Sequence, residues 1–203
     1  MGVDLEQRKR NQMKSICVFC ASSNAVDKVY HQTATELGHQ IGQLGFDLIY
    51  GGGGIGLMGA VARGVHDKGG RVVGVIPEFF LNKEKTIEYA KADELIVTED
   101  MRSRKAIMDR RADAFIVLPG GIGTLEEVVE IMSMKQLGLT EKPLVFINTN
   151  EFYDGFISNL RRMVDLKFAK VSTLELINIC PDPSSALDFI LSYQPKKLDS
   201  KWL

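Results

Sequence analysis

A chain of 203 residues can bury one sizeable core, which argues against two independent domains. At 45% hydrophobic and 25% charged residues, the composition excludes intrinsic disorder and collagen-like or low-complexity architectures. The 25 basic residues balance 26 acidic ones to a net charge of -1, so no overall field draws the chain to nucleic acid or to an anionic membrane.

Residues 1–13 are polar and are expected to form a flexible tail. They lack the apolar segment of a signal peptide, and Glu6 stands where a myristoylation signal needs Ser or Thr. No apolar run approaches the roughly 18 to 20 residues of a membrane helix, so a cytosolic protein is expected. The run Ser15 to Cys20 reads as a strand, which turns Cys17 and Cys20 to opposite faces and marks them as buried thiols rather than a redox pair. Further strands are expected at Asp47 to Tyr50, Arg71 to Ile76, Glu94 to Val97, Ala114 to Leu118, Leu144 to Ile147 and Leu176 to Ile179. Helices are expected at Val26 to Leu44, Leu57 to Lys68, Thr124 to Leu137, Asp154 to Leu166 and Pro183 to Leu191. The basic stretch MRSRKAIMDRR, residues 101–111, is helix-like, and 194–203 form a second polar tail. Strand and helix alternate throughout 14–193, the pattern of an α/β, doubly wound Rossmann-like parallel sheet with helices on both faces, in a single domain.

Two strands run into glycine-rich turns that each open a helix: Tyr50 into GGGGIGLMG, and Leu118 into PGGIGTLEE. Glycine lets backbone N–H groups approach a ligand, and a helix N-terminus carries about half a positive charge, so each turn is a candidate phosphate cradle. The first matches G-x-G-x-x-G in two registers and is followed by Glu78 at the end of the next strand, as in NAD-binding folds. Tight strand-to-helix packing explains the same glycines. The second adds a rigid Pro119, the hydroxyl of Thr124 and two acids, Glu126 and Glu127. First-turn carboxylates complement a helix dipole, but beside a phosphate they are awkward unless they act on another part of the ligand. The basic stretch starts at the carboxyl end of a strand, where Arg104 and Lys105 can face those carboxylates or an anionic ligand. His31, His39 and His66 show no ligand spacing, so no metal is expected.

The segments FCASS, YGGGGIGLMG, GVIP, MRSRKAIM and PGGIGTLEE together resemble the LOG (lonely guy) family of cytokinin-activating phosphoribohydrolases over roughly residues 14–190. The R-K pair and P-G-G-x-G-T-x-x-E are the specific signature, with Arg104 and Glu127 lying 23 residues apart. The resemblance implies hydrolysis of the N-glycosidic bond of purine nucleoside 5'-monophosphates, N6-modified adenosine monophosphates or AMP, to free base and ribose 5-phosphate, without a cofactor. It implies catalytic roles for Arg104 and Glu127, and a substrate site of Glu84, Lys105, Gly121, Ile122, Gly123, Thr124, Leu125, Glu126 and Ser133. It also implies a homodimer, for which the face around Met132, Met134 and Leu137 is a candidate contact. The chain departs from the family pattern at Arg102 (commonly His), Ile122 (an aromatic) and Ser133 (Thr). The lysine decarboxylase label long carried by such proteins finds no lysine here in a recognisable pyridoxal-phosphate context. Competing readings on the same fold are a nucleotide or cofactor carrier, which has little use for Glu127, and an NAD-dependent dehydrogenase, which leaves PGGIGTLEE unexplained.

Overall fold

Short β-branched runs buried on both faces satisfy their backbone by pairing side by side, with helices as crossovers. A computed structural model describes residues 13–81, 89 and 91–195. Within them the strands are β1 (Ser15–Phe19), β2 (Asp47–Tyr50), β3 (Val72–Pro77), β4 (Glu94–Thr98), β5 (Ala114–Val117), β6 (Leu144–Ile147) and β7 (Asn178–Cys180). The helices are α1 (Lys28–Gln43), α2 (Gly56–Asp67), α3 (Glu78–Leu81), α4 (Met101–Arg111), α5 (Ile122–Gln136), α6 (Asp154–Asp165) and α7 (Pro183–Ser192). Short 3-10 turns occupy Thr149–Glu151 and Val171–Glu175. All the strands pair in parallel, in the order β4-β3-β2-β1-β5-β6-β7.

The two-residue strand period divides the core into two layers. Ile16, Val18, Leu48, Tyr50 and Ile116 pack with Leu37 and Ile41 of α1, Val61 and Val65 of α2, and Leu187 of α7. Cys17, Phe19, Ile49, Phe115 and Val117 pack on the other face with Met108 of α4, Val128 and Ile131 of α5, and Leu160 of α6. Phe115 is fully buried and stacks on Phe19 at 5.7 Å between ring centroids, so truncation to Ala would cost about 3 to 5 kcal/mol. Cys17 and Cys20 do lie in opposite layers, and burial pushes both thiols well up from their ordinary range.

Three elements depart from expectation. The last strand begins at Asn178 rather than Leu176, because Asn178 is the first residue to find a partner on β6, opposite Val145. Leu176 instead follows the 3-10 turn and buries its side chain beside α6. The single turn α3 was not expected; it places Glu78 exposed at its first residue. The first long helix starts at Lys28, two residues later than Val26, with Asp27 at its N-cap. The tails expected at 1–13 and 194–203 fall outside the described residues except for Met13, Gln194 and Pro195. No described helix is long and apolar enough to cross a membrane.

Strand order reverses between β1 and β5. The chain leaves their carboxyl ends toward opposite faces, and the crevice so formed is where ligands bind open α/β sheets.

Candidate functional site

The loops leaving β1 and β5 are stitched together at this switch point. Leu118 N–H donates to Phe19 O at 2.9 Å, and Ala21 N–H donates to Pro119 O at 3.2 Å. Both glycine-rich turns border the crevice, yet their helix openings are in different states. At α2 the N–H groups of the first three helical residues, which have no intrahelical acceptors, are all used. Gly56 N–H donates to Asn24 Oδ1 at 2.7 Å, and Leu57 and Met58 donate to Ala21 O at 3.0 and 3.3 Å. Gly56 sits at φ 59, and a Cβ there would fall 2.4 Å from the Ser22 carbonyl carbon, so only glycine admits the β1 loop this closely. The first three residues of α2 therefore spend their N–H groups on the protein's own loop after β1. At α5 the N-cap is Gly121, with no side-chain cap, and the N–H groups of Ile122, Gly123 and Thr124 find no acceptor among the described residues. Gly121, Ile122 and Gly123 are exposed, so this opening faces solvent.

Beneath it lies an ion pair. Asp100 caps α4, its Oδ1 accepting the Ser103 N–H at 2.7 Å, and the helix then turns Arg104 inward. Arg104 is 7% exposed and Glu127 of α5 is 8% exposed. Arg104 Nη1 donates to Glu127 Oε1 at 2.5 Å and its Nε donates to Val75 O at 3.0 Å. A Cβ on Gly51 would fall 2.1 Å from Nη2, so a glycine of the first turn also makes room for the guanidinium. Glu127 Oε2 meets no donor among the described residues. Burial raises the Glu127 pKa; the charge and hydrogen bond of Arg104 oppose the rise without cancelling it.

The other expected residues divide. Thr124 is buried, its hydroxyl folded so closely over Gly120 that a Cβ there would lie 2.1 Å from Oγ1. Leu125 packs against the core, and Ile122 is 82% exposed at the rim. Lys105 faces carboxylates as expected, its ammonium pairing with Glu126 and also with Glu130 on the outer side of α5. Burial works against that charge, but the two carboxylates outweigh it and raise the Lys105 pKa. Ser133 is not brought to the pair. It lies roughly 9 Å further along α5 than Glu127, on another face, and donates back to Val129 O at 2.9 Å. Glu84 lies outside the described residues. Of the proposed contact face, Met132 is core, Met134 half-buried and Leu137 exposed. Sequence reasoning missed the Val75 carbonyl, the Gly51 wall and the Asn24 cap. Only Asn24 left a trace, as a capping-type residue in the loop after β1.

A buried carboxylate held by a guanidinium, under an uncapped glycine-rich helix opening at a switch point, defines an α/β protein equipped to handle a phosphorylated small molecule. The family model described as possible lysine decarboxylase matches residues 58–190. A cytokinin riboside 5'-monophosphate phosphoribohydrolase of Arabidopsis thaliana is 39% identical over 193 residues, covering 95% of this chain and 90% of the relative. A probable enzyme of the same description from Oryza sativa subsp. japonica is 39% identical over 187 residues, covering 92% and 74%. The chain belongs to this family, the LOG phosphoribohydrolases. Among solved structures, the molybdenum cofactor carrier protein of Chlamydomonas reinhardtii superimposes with a TM-score of 0.66 at 23% identity, over 89% of this chain and 99% of that one. The molybdenum cofactor binding protein of Rippkaea orientalis gives 0.66 at 22% identity, over 88% and 96%. At that distance they share the fold.

Proposed function

We propose that this chain hydrolyses the N-glycosidic bond of purine nucleoside 5'-monophosphates, N6-modified adenosine monophosphates or AMP, releasing the base and ribose 5-phosphate. The observation that carries the reading is the Arg104–Glu127 pair beneath the open start of α5, in a chain whose relatives are named for this reaction. The free N–H groups of Ile122, Gly123 and Thr124 hold the 5'-phosphate dianion, which sets the ribose over Glu127. As the C1'–N bond breaks, positive charge grows on the ribose, and the carboxylate stabilises it and takes a proton from the attacking water. That water supplies the hydroxyl at C1', and the departing base collects its proton from solvent. Arg104 favours the ionised form of Glu127 against the effect of burial and aims it; with Nε and Nη1 already engaged, it is a poor candidate for the phosphate ligand.

The proposal extends to a homodimer that works in the cytosol. Ile122, Val129 and Leu137 form an exposed apolar line along α5, beside the Lys105 cluster, that pairing of two copies would cover. Three free, buried cysteines suit a reducing compartment. The experiment that tests the reaction is incubation with a panel of nucleoside monophosphates and chromatography of the released bases. Binding of AMP without release of adenine would leave a carrier instead.

A further inference from the structure

Tyr153 lies outside every motif above, 1% exposed, in the loop joining β6 to α6. Its phenol donates to Leu118 O at 2.7 Å, 35 residues away and directly before Pro119. Three further bonds clamp the loop. Asn148 N–H donates to Cys180 O at 2.8 Å, Asn148 Oδ1 accepts the Tyr153 N–H at 2.7 Å, and Asn148 Nδ2 donates to Asp154 Oδ1 at 2.8 Å. Between the clamps Asn150 and Glu151 stand at φ 51 and 58, two consecutive left-handed residues that are not glycine. Side chains avoid this conformation, and it persists where surrounding bonds over-determine it. What the strained loop delivers is one hydroxyl onto one carbonyl. The ring itself would pack as well as phenylalanine, edge-on to Phe146 at 4.8 Å and beside Phe156.

That carbonyl lies at the entry to the second glycine turn, where the neighbouring backbone groups are already engaged. Pro119 has no N–H, Leu118 N–H is spent on Phe19 O, and Pro119 O accepts from Ala21. Holding Leu118 O fixes the rotation of the Leu118–Pro119 peptide, and with it the direction in which Gly120, Gly121 and the open N–H groups of α5 are presented. We propose that Tyr153 is a positioning residue for the phosphate cradle, acting through the Leu118 carbonyl. The inference rests on the cradle assigned under Proposed function. Burial raises the phenol pKa, so the hydroxyl stays a donor throughout the neutral range.

The test compares wild type, Tyr153→Phe and, as a stability control away from the turn, Leu160→Ala. Ribose 5-phosphate and inorganic phosphate are titrated calorimetrically, and kcat/KM is measured for AMP and adenosine. Tyr153→Phe is expected to weaken ribose 5-phosphate on the order of tenfold, and to narrow the AMP-to-adenosine ratio by a similar factor through KM. Leu160→Ala is expected to lower Tm and leave both quantities unchanged. Wild-type ribose 5-phosphate affinity in Tyr153→Phe would overturn the proposal, as would an equal loss in Leu160→Ala. Wild type that binds ribose 5-phosphate but releases no base refutes the hydrolase reading alone, and the affinities still decide the role of Tyr153. Wild type that binds neither anion overturns both.

Discussion

The two glycine-rich turns are near neighbours with similar sequences, and the structure uses them in opposite ways. At Gly51–Gly59 the loop after β1 arrives with two acceptors, Asn24 Oδ1 and Ala21 O, and takes the N–H groups of the first three residues of α2. At Pro119–Glu127 no acceptor arrives, and the same three positions of α5 remain open among the described residues. Glycine content makes close approach possible for any partner. Whether that partner is a ligand or the protein's own backbone depends on which loop the topology brings past the helix start.

The largest effect should come from the acid under the open turn. Glu127→Gln is expected to reduce base release by at least about a hundredfold while ribose 5-phosphate still binds, because the amide keeps the shape and loses the charge the transition state needs. Near wild-type turnover would remove Glu127 from the mechanism. Arg104→Lys should rescue little relative to Arg104→Ala, since an ammonium does not reproduce the planar fork that reaches Val75 O through Nε and Glu127 Oε1 through Nη1.

If the open turn holds the phosphate, AMP-type substrates should exceed the matching nucleosides in kcat/KM by at least roughly a hundredfold, about 2.8 kcal/mol at 1.4 kcal/mol per tenfold. Equal efficiency on AMP and adenosine would make both turns packing devices and abolish the contrast.

Acidity offers a third handle. The raised Glu127 pKa means that activity on the acid side should begin to fall at a higher pH than an ordinary glutamate, near 4.3, would give. The linked stability has the opposite sense. Because the folded pKa is raised, the contribution of Glu127 is fully present below the ordinary carboxylate range and is lost as pH rises through the folded value. A pH–rate profile, and Tm against pH for wild type and Glu127→Gln, read the two. An acid limb no higher than that of a solvent-exposed carboxylate would show that burial is not felt by the reacting group.

The smallest effect sharpens the closed side. Asn24→Ala strips the cap from Gly56 N–H and should cost about 0.5 to 2 kcal/mol of stability, with ribose 5-phosphate affinity unchanged. A clear loss of affinity in denaturant-matched conditions would mean that the first turn also touches the ligand.

The residue order by itself determined the architecture. Alternating short apolar strands and helical segments admit little besides a doubly wound parallel sheet, and the period of two in β1 correctly sent Cys17 and Cys20 to opposite layers. Arg104 and Glu127 were singled out by the family resemblance of their motifs, which are local in sequence and lie where a strand hands over to a helix. Tertiary structure decided everything that depends on which atoms meet across the chain: that Arg104 spends Nε on Val75 O, that Lys105 is taken by Glu126 and Glu130, and that Ser133 stands on another face of α5. The start of β7 followed the same rule, since a strand begins only where its neighbour supplies a partner. Local periodicity reports how much side-chain surface must be buried. A backbone N–H becomes a ligand site only if no acceptor from a distant loop reaches it first, and that is settled by the packing of the whole fold.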